Sequence, residues 1–549
     1  MLAAGCVASP NKPAAAPVAP EIPAKLPGQP APSLVTPQPG QPELSSITPQ
    51  FDAFTEKSFT RSGVPGMAVA VVKDDTIIYL RCFGVKNITT QRPVTPHTRF
   101  QLASISKSFT SASVASMVGR GELAWDDPAA PLLPGFRLSD PYVTGHVTFR
   151  DLLSHRTGLP AYAGDELQDI GYGRQEIIDR LRYIPPGAFR SSYAYANIGI
   201  TMAAEAAAKK AGMPWEDLVA ARVLIPAGMH NTSARFSDFE NATDRVDTYP
   251  TMNGTAVAGP LLNDDPNSPA GGVSSTISDM ARYARLQVNG GTIDGKEIIN
   301  RTALEETHRP QNIMKYTNTS FTAYGLGWEN TIENGRNRIE HGGDLTSGVS
   351  TYITMYPEEK MAIVVLTNGF PGGHILKRVV TRGWEDLYFT GAVQKDWYGL
   401  IEAGVNAALQ AQSSVISPGE ALPPAPAGAE PARPLRSYTG SYTQEYYGTV
   451  RIRANGTGLH VYPGLLTEPY SLFPYDGDTF RDAQTGTRVD FSFSGTGTRD
   501  SRCAGPNTDS CGSDVSFGSN GTATAVRFTM FEKPWNNGTF FGVYPPDYV

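Results

Sequence analysis

No stretch of this 549-residue chain approaches the roughly 18 consecutive apolar residues of a membrane-spanning helix. Positive charge is not in excess either. Lys and Arg total 46 against 53 Asp and Glu, a net charge of −7. That excludes the basic face of a nucleic-acid-binding protein. Several catalytic signatures are missing. There is no Gly-x-Ser-x-Gly, which removes a nucleophile elbow of that type. There is no His-Glu-x-x-His, and the eight histidines are scattered, so a metal site has no support. No Walker-type or dinucleotide-type glycine loop precedes a helix, and no cofactor is expected. Cysteine is scarce, with four in the chain. Cys503 and Cys511 flank a turn-rich loop and would pair in an oxidising compartment, whereas Cys82 lies in an apolar strand pattern and reads as a buried thiol.

What is present falls into four blocks. Residues 1–43 are Pro- and Ala-rich with few aromatics and read as a disordered tether. Met1-Leu-Ala-Ala-Gly-Cys6 resembles the end of a lipoprotein signal without its basic and apolar parts. It suggests an extracytoplasmic protein, secreted or held at the cell surface by a lipid on Cys6. Residues 44–395 read as one α/β region: an antiparallel sheet flanked by helices, with an all-helical cluster inserted. Its strands are expected at both ends, as hairpins Gly66–Lys73 with Thr76–Phe83 and Thr351–Tyr356 with Met361–Leu366. Between and after them, helices are expected over 105–119, 196–210 and 379–389, the first with one apolar face made by Ile105, Phe109, Ala112 and Met117. Residues 396–434 read as a linker. Residues 435–549 alternate in short Tyr-, Phe- and Thr-rich runs separated by turns such as Asn455-Gly456, and read as a small all-β barrel.

Ser104-Ile105-Ser106-Lys107 stands at the start of the first helical run. Residues three apart share a helix face, so the hydroxyl and the amine meet without help from elsewhere. A serine hydroxyl attacks only when a base takes its proton, and an amine can be that base once burial or nearby cations lower its pKa. The helix dipole also favours negative charge near Ser104. Four residues alone do not decide, since Ser9-Pro10-Asn11-Lys12 has the same spacing in a stretch that cannot be helical. Two companions follow in chain order. Tyr195-Ala196-Asn197 opens the next helical run. A Tyr hydroxyl near an amine can be driven toward phenolate and shuttle protons, and the Asn amide can hold a substrate carbonyl or the Lys. His341-Gly342-Gly343-Asp344 precedes the closing hairpin. There a side-chain-free strand lets the backbone approach a ligand, so its N–H and that of Ser104 can form an oxyanion hole. His155, in a Ser-His-Arg-Thr-Gly turn, reads as structural.

In this order the three motifs resemble the serine β-lactamase and penicillin-binding-protein superfamily, in its class C and esterase/D-aminopeptidase branch. Lesser matches include Leu152-Leu-Ser-His155-Arg-Thr-Gly158, Pro269-Ala-Gly-Gly-Val-Ser-Ser-Thr276 and Tyr324-Gly-Leu-Gly-Trp328. The resemblance implies a β-lactamase/transpeptidase-like fold, and for the last block a lipocalin-like domain. It implies Ser104 as acylated nucleophile and Lys107 with Tyr195 as coupled bases. Asn197, His341, Gly342, Gly343 and Asp344 would bind substrate, with the N–H groups of Ser104 and Asp344 on the oxyanion. His341 stands where the branch usually has Lys. A mostly neutral imidazole holds a substrate carboxylate less well, which disfavours β-lactams relative to esters or D-residue peptides. The expected partner is therefore a small molecule or short peptide. The alternative is a binder of penicillin or cell-wall peptides that acylates but deacylates slowly.

Overall fold

The structure is a computed structural model that describes residues 43–252, 254–333, 335–412, 425–482, 488–493, 523–533 and 536–543. Cys6, Cys503 and Cys511 lie outside them. The elements that position the site begin with α1 (Leu44–Ser62), β1 (Gly66–Lys73), β2 (Thr76–Asn87), the short β3 (Arg92–Pro93) and α2 (Ser106–Gly119). A helical cluster follows, including α3 (Asp165–Asp169), α4 (Asn197–Ala211) and α5 (Ile277–Val288). The chain then returns to the sheet through β4 (Asn312–Tyr316), β5 (Ser320–Tyr324), β6 (Glu329–Glu333), β7 (Arg336–Leu345), β8 (Val349–Tyr356) and β9 (Met361–Thr367), and closes with α6 (Gly372–Thr390) and α7 (Trp397–Gln412).

One sheet holds nine of these strands in the order β4-β5-β6-β7-β8-β9-β1-β2-β3. The amino-terminal hairpin is thus stitched to the last strand, with Met67 opposite Thr367 and Val71 opposite Ile363. Strand side chains alternate between faces. Met67, Val69 and Val71 pack with Phe51 of α1 and Leu376, Val380 and Trp384 of α6. Ala68, Ala70 and Val72 face the opposite core, with Phe109 of α2 and Met280 and Ala284 of α5. This is the helix-flanked antiparallel sheet with a helical subdomain that the sequence implies.

Helix α2 departs from its expected one-sided pattern, because Ser106 to Met117 are all buried. Its small hydroxyl residues make that tolerable by hydrogen bonding to carbonyls. Ser108 Oγ donates to Ile105 O, Thr110 Oγ1 to Pro269 O, Ser113 Oγ to Thr110 O and Ser111 Oγ to Leu326 O. The expected linker also needs correcting at its start. Trp397–Gln412 is helical, and Trp397, Tyr398, Ile401 and Val405 pack on Ile375 and Val379 of α6. Cys82 is a half-buried free thiol, and burial pushes its pKa up to about 12.

The carboxy-terminal block forms a closed antiparallel barrel of eight strands. Tyr438, Tyr442, Val450, Ile452, Leu459, Phe480 and Val489 are buried in its core. A small cavity of about 10 Å³ lies between Val461, Leu472 and Phe528.

Candidate active site

Ser104 sits in a short 3₁₀ turn, Ala103–Ile105, that runs directly into α2. The preceding Ala103 has φ +50°, a left-handed conformation that a side chain disfavours. Such strain persists where surrounding packing enforces it, and it is often found next to reactive groups. Ser104 is half-buried, whereas its neighbours Ala103 and Ile105 are closed off. Lys107, one turn on, has no exposed surface. Its Nζ lies 3.0 Å from Ser104 Oγ and donates to Ala270 O at 2.9 Å. Tyr195 OH donates to Ser104 Oγ at 2.8 Å, and Lys107 Nζ stands 4.7 Å from the Tyr195 ring centre. Side chains 91 residues apart in sequence therefore meet at one hydroxyl.

The electrostatics separate the two partners of Ser104. Burial lowers Lys107 to about 7, against the opposing pull of Asp165 and Asp264. Burial raises Tyr195 well above the ordinary phenol range, outweighing its bond to Ser104. The phenol is thus held protonated rather than driven toward phenolate, and the amine is the group poised to accept a proton near neutrality.

Tyr195 is fixed by its backbone. Ala194 N–H donates to His155 O at 3.0 Å, Ala196 N–H donates to His155 Nδ1 at 3.2 Å, and Tyr162 N–H donates to Tyr195 O at 2.7 Å. His155 is itself buried, with its ring 4.7 Å from that of Tyr195. Asn197 opens α4, and its Nδ2 donates to Asp165 Oδ2 at 2.8 Å. Burial raises Asp165 to about 7 and Asp264 to about 6, with Lys107 opposing both shifts.

His341, Gly342, Gly343 and Asp344 lie on β7. Gly343 presses against the turn that carries Ser104. A Cβ there would lie 2.2 Å from Leu102 O and 2.9 Å from Ala103 Cβ. Gly343→Ala is accordingly expected to push β7 off the Ser104 turn and lower ester turnover about 100-fold, the usual cost of a misplaced reacting group. Turnover paired with a thermal melt checks this, since a melt near wild type localises the loss to the site.

His341 is not placed as a substrate ligand. It is 2 % exposed, its Nε2 accepts from Tyr324 OH at 2.8 Å, and its Nδ1–H donates to Gly342 O at 2.8 Å. Burial and the Lys107 charge lower it to about 3, so the ring is neutral and both nitrogens are engaged. The Asp344 carboxylate points to the other face of the sheet, where Lys377 Nζ and His374 Nδ1 bind it at 2.8 and 2.9 Å. Burial alone would raise Asp344, but Lys377 holds it well below the usual carboxylate range. Only its backbone remains on the Ser104 side. The sequence reading missed Asp165, Asp264 and Tyr324. Tyr324 opens the Tyr324-Gly-Leu-Gly-Trp328 motif, whose pattern does not mark its hydroxyl as a partner of His341. The two aspartates sit in polar stretches with no spacing signal.

Residues 51–382 match the family model described as "Beta-lactamase". Residues 424–502 match a domain of unknown function, DUF3471. Penicillin-binding protein 4* of Bacillus subtilis is 27% identical over 325 residues, 55% of this chain and 67% of that protein. A D-aminopeptidase of Cereibacter sphaeroides is 27% identical over 323 residues, covering 56% and 58%. Beta-lactamase-like protein 2 of Dictyostelium discoideum is 26% identical over 291 residues, and the chain spans about half of its length (51%). The octameric penicillin-binding protein homologue from Pyrococcus abyssi shares the fold, with a TM-score of 0.55 at 19% identity over 81% of this chain and 96% of that one.

Proposed function

The chain belongs to the β-lactamase family, and from that premise we propose that it is a serine hydrolase that works through an acyl-enzyme at Ser104 on ester or amide substrates. The observation that carries this reading is the double contact at Ser104 Oγ, with Lys107 Nζ at 3.0 Å and Tyr195 OH at 2.8 Å. In the neutral state the Lys107 amine takes the hydroxyl proton as Oγ bonds to the substrate carbonyl. The oxyanion is received by the N–H groups of Ser104 and Asp344, the roles carried over from the family pattern. The Tyr195 phenol gives its proton to the leaving oxygen or nitrogen as that bond breaks, and is reprotonated by the Lys107 ammonium. Water then attacks the ester at Ser104 as the same amine takes its proton, the acyl–Oγ bond breaks to release the acid, and the Lys107 ammonium returns the proton to Ser104 Oγ.

Substrate preference follows from charge. Asp165 and Asp264 lie within electrostatic reach of Lys107, and the imidazole in the usual Lys position is neutral. With a neutral imidazole in place of that cation, a substrate carboxylate is held less well, which favours small esters and D-residue peptides over β-lactams. For the barrel, its aromatic core and its packing against residues 164–180 support a structural or specificity role.

The test is intact-mass detection of an acyl adduct across short esters, D-Ala-D-Ala peptides and penicillins. Adducts that form and decay with esters or peptides support hydrolysis, and a long-lived adduct supports the slow-deacylating alternative. Failure of every class to acylate Ser104 overturns both. The pH profile is a second check. The reactive amine is deprotonated and its pKa is about 7. Turnover of a non-ionising ester is thus expected to fall as pH drops through about 7, and a profile flat across neutrality removes Lys107 as the base.

A further inference from the structure

The first barrel hairpin packs against the segment that carries Asp165. Its turn, Glu445 to Tyr447, lies against residues 164–180, and Tyr446 and Tyr447 have no exposed surface. Tyr446 OH accepts the Gly164 N–H at 3.1 Å and donates to Glu166 Oε1 at 3.0 Å. Arg180 Nη1 donates to Glu445 O and Tyr446 O, and Tyr172 OH donates to Tyr447 O at 3.0 Å. A Cβ at Gly448 would lie 2.1 Å from Tyr172 OH, so this close approach requires glycine. A second barrel loop joins in, with Leu465 N–H donating to Ile170 O at 2.9 Å.

These contacts bracket α3, a five-residue helix with no side-chain cap on its first turn. So short a helix depends on tertiary contacts for its position. Its first residue is Asp165, and Gly164, the residue held by Tyr446, immediately precedes it. Asp165 Oδ2 accepts from Asn197 Nδ2, whereas its Oδ1 is buried without a hydrogen-bond partner in the structure. Asp165 Oδ2 is the acceptor of this bond, and that contact fixes the rotation of the Asn197 amide. The Nδ2 is committed to Asp165, and the carbonyl oxygen is the end left for substrate. Asn197 thus offers an acceptor, suited to an amide N–H or an amine.

We propose that Tyr446 is a positioning residue for the acylation site: its hydroxyl holds α3 so that Asp165 presents the Asn197 carbonyl to substrate, which makes the barrel part of the catalytic apparatus. This rests on the serine-hydrolase reading above.

The test is Tyr446→Phe in the full chain, which keeps the ring and changes no charge. Without the hydroxyl, α3 loosens and Asp165 leaves Asn197. The kcat/KM for an N–H-bearing substrate is expected to fall about tenfold, mostly through KM, as for loss of one buried hydrogen bond. The acid limb of the pH profile is expected to move to lower pH, because a displaced Asp165 no longer supports the Lys107 charge. Asp165→Asn should move the limb in the same direction, and the double variant should do no more than Asp165→Asn alone. Tyr172→Phe, also charge-neutral, should give a smaller shift of the same sign and decides the matter if Tyr446→Phe does not fold. Unchanged KM and pH profile in these neutral variants overturn the proposal while leaving the role of Ser104 intact. Activity retained in Ser104→Ala would instead overturn the reading beneath it.

Discussion

Replacing Ser104 by Ala is expected to lower ester hydrolysis by about 10⁴-fold or more, since the nucleophile of an acyl-enzyme has no substitute. The fold should survive. The side chain is half-buried, the lost atom is one oxygen, and the turn Ala103–Ile105 is held by Leu102 and β7 rather than by the hydroxyl. The measurement is p-nitrophenyl ester turnover beside intact mass. Wild type should gain the acyl mass on Ser104, and the variant should gain none. Turnover that persists unchanged places the chemistry elsewhere in the molecule. Lys107 and Tyr195 would then lose the hydroxyl that gives their arrangement meaning.

Lys107→Ala should cost a similar factor. Tyr195 cannot replace the amine as base, because burial holds its phenol protonated well beyond neutrality. The double variant Ser104→Ala with Lys107→Ala should be no slower than either single one, since groups that act as one unit lose their effect together. Removing Lys107 also leaves Ala270 O without its donor in a closed interior, so some stability is lost as well. A melt measured beside turnover separates the two effects. Activity close to wild type in Lys107→Ala would assign proton removal to another group.

Some of this site is local in sequence, and some is not. The Ser104–Lys107 contact follows from helical spacing alone, and Tyr195 and β7 carry motifs that stand out from their surroundings. The two outer hairpins were legible because apolar alternation of period two marks them. His341 illustrates the limit. Its position on the strand next to the cleft was readable, but its ring is turned into a bond with Tyr324, 17 residues earlier on another strand. Asp165 shows the same limit more strongly. Its partner Asn197 is 32 residues away and its support, through Gly164 and Tyr446, is more than 280 residues away. Nothing in the local pattern marks an acidic residue in a one-turn helix. The helix Trp397–Gln412 was hidden differently, because its small residues merge into the Pro-rich stretch that follows.

The pairing of β1 with β9 has a consequence for how the molecule comes into being. Met67 meets Thr367 across three hundred residues of intervening chain. During synthesis from the amino end, the first hairpin must wait, unpaired on one edge, until that late strand leaves the ribosome. Domain-sized units with such distant pairings fold slowly and expose sticky edges meanwhile. The turn that carries Ser104 is made early, yet β7 follows more than two hundred residues later, so a nascent chain carries Ser104 without the strand that lies against it. The surroundings of Ser104 are thus incomplete until β7 has joined the sheet.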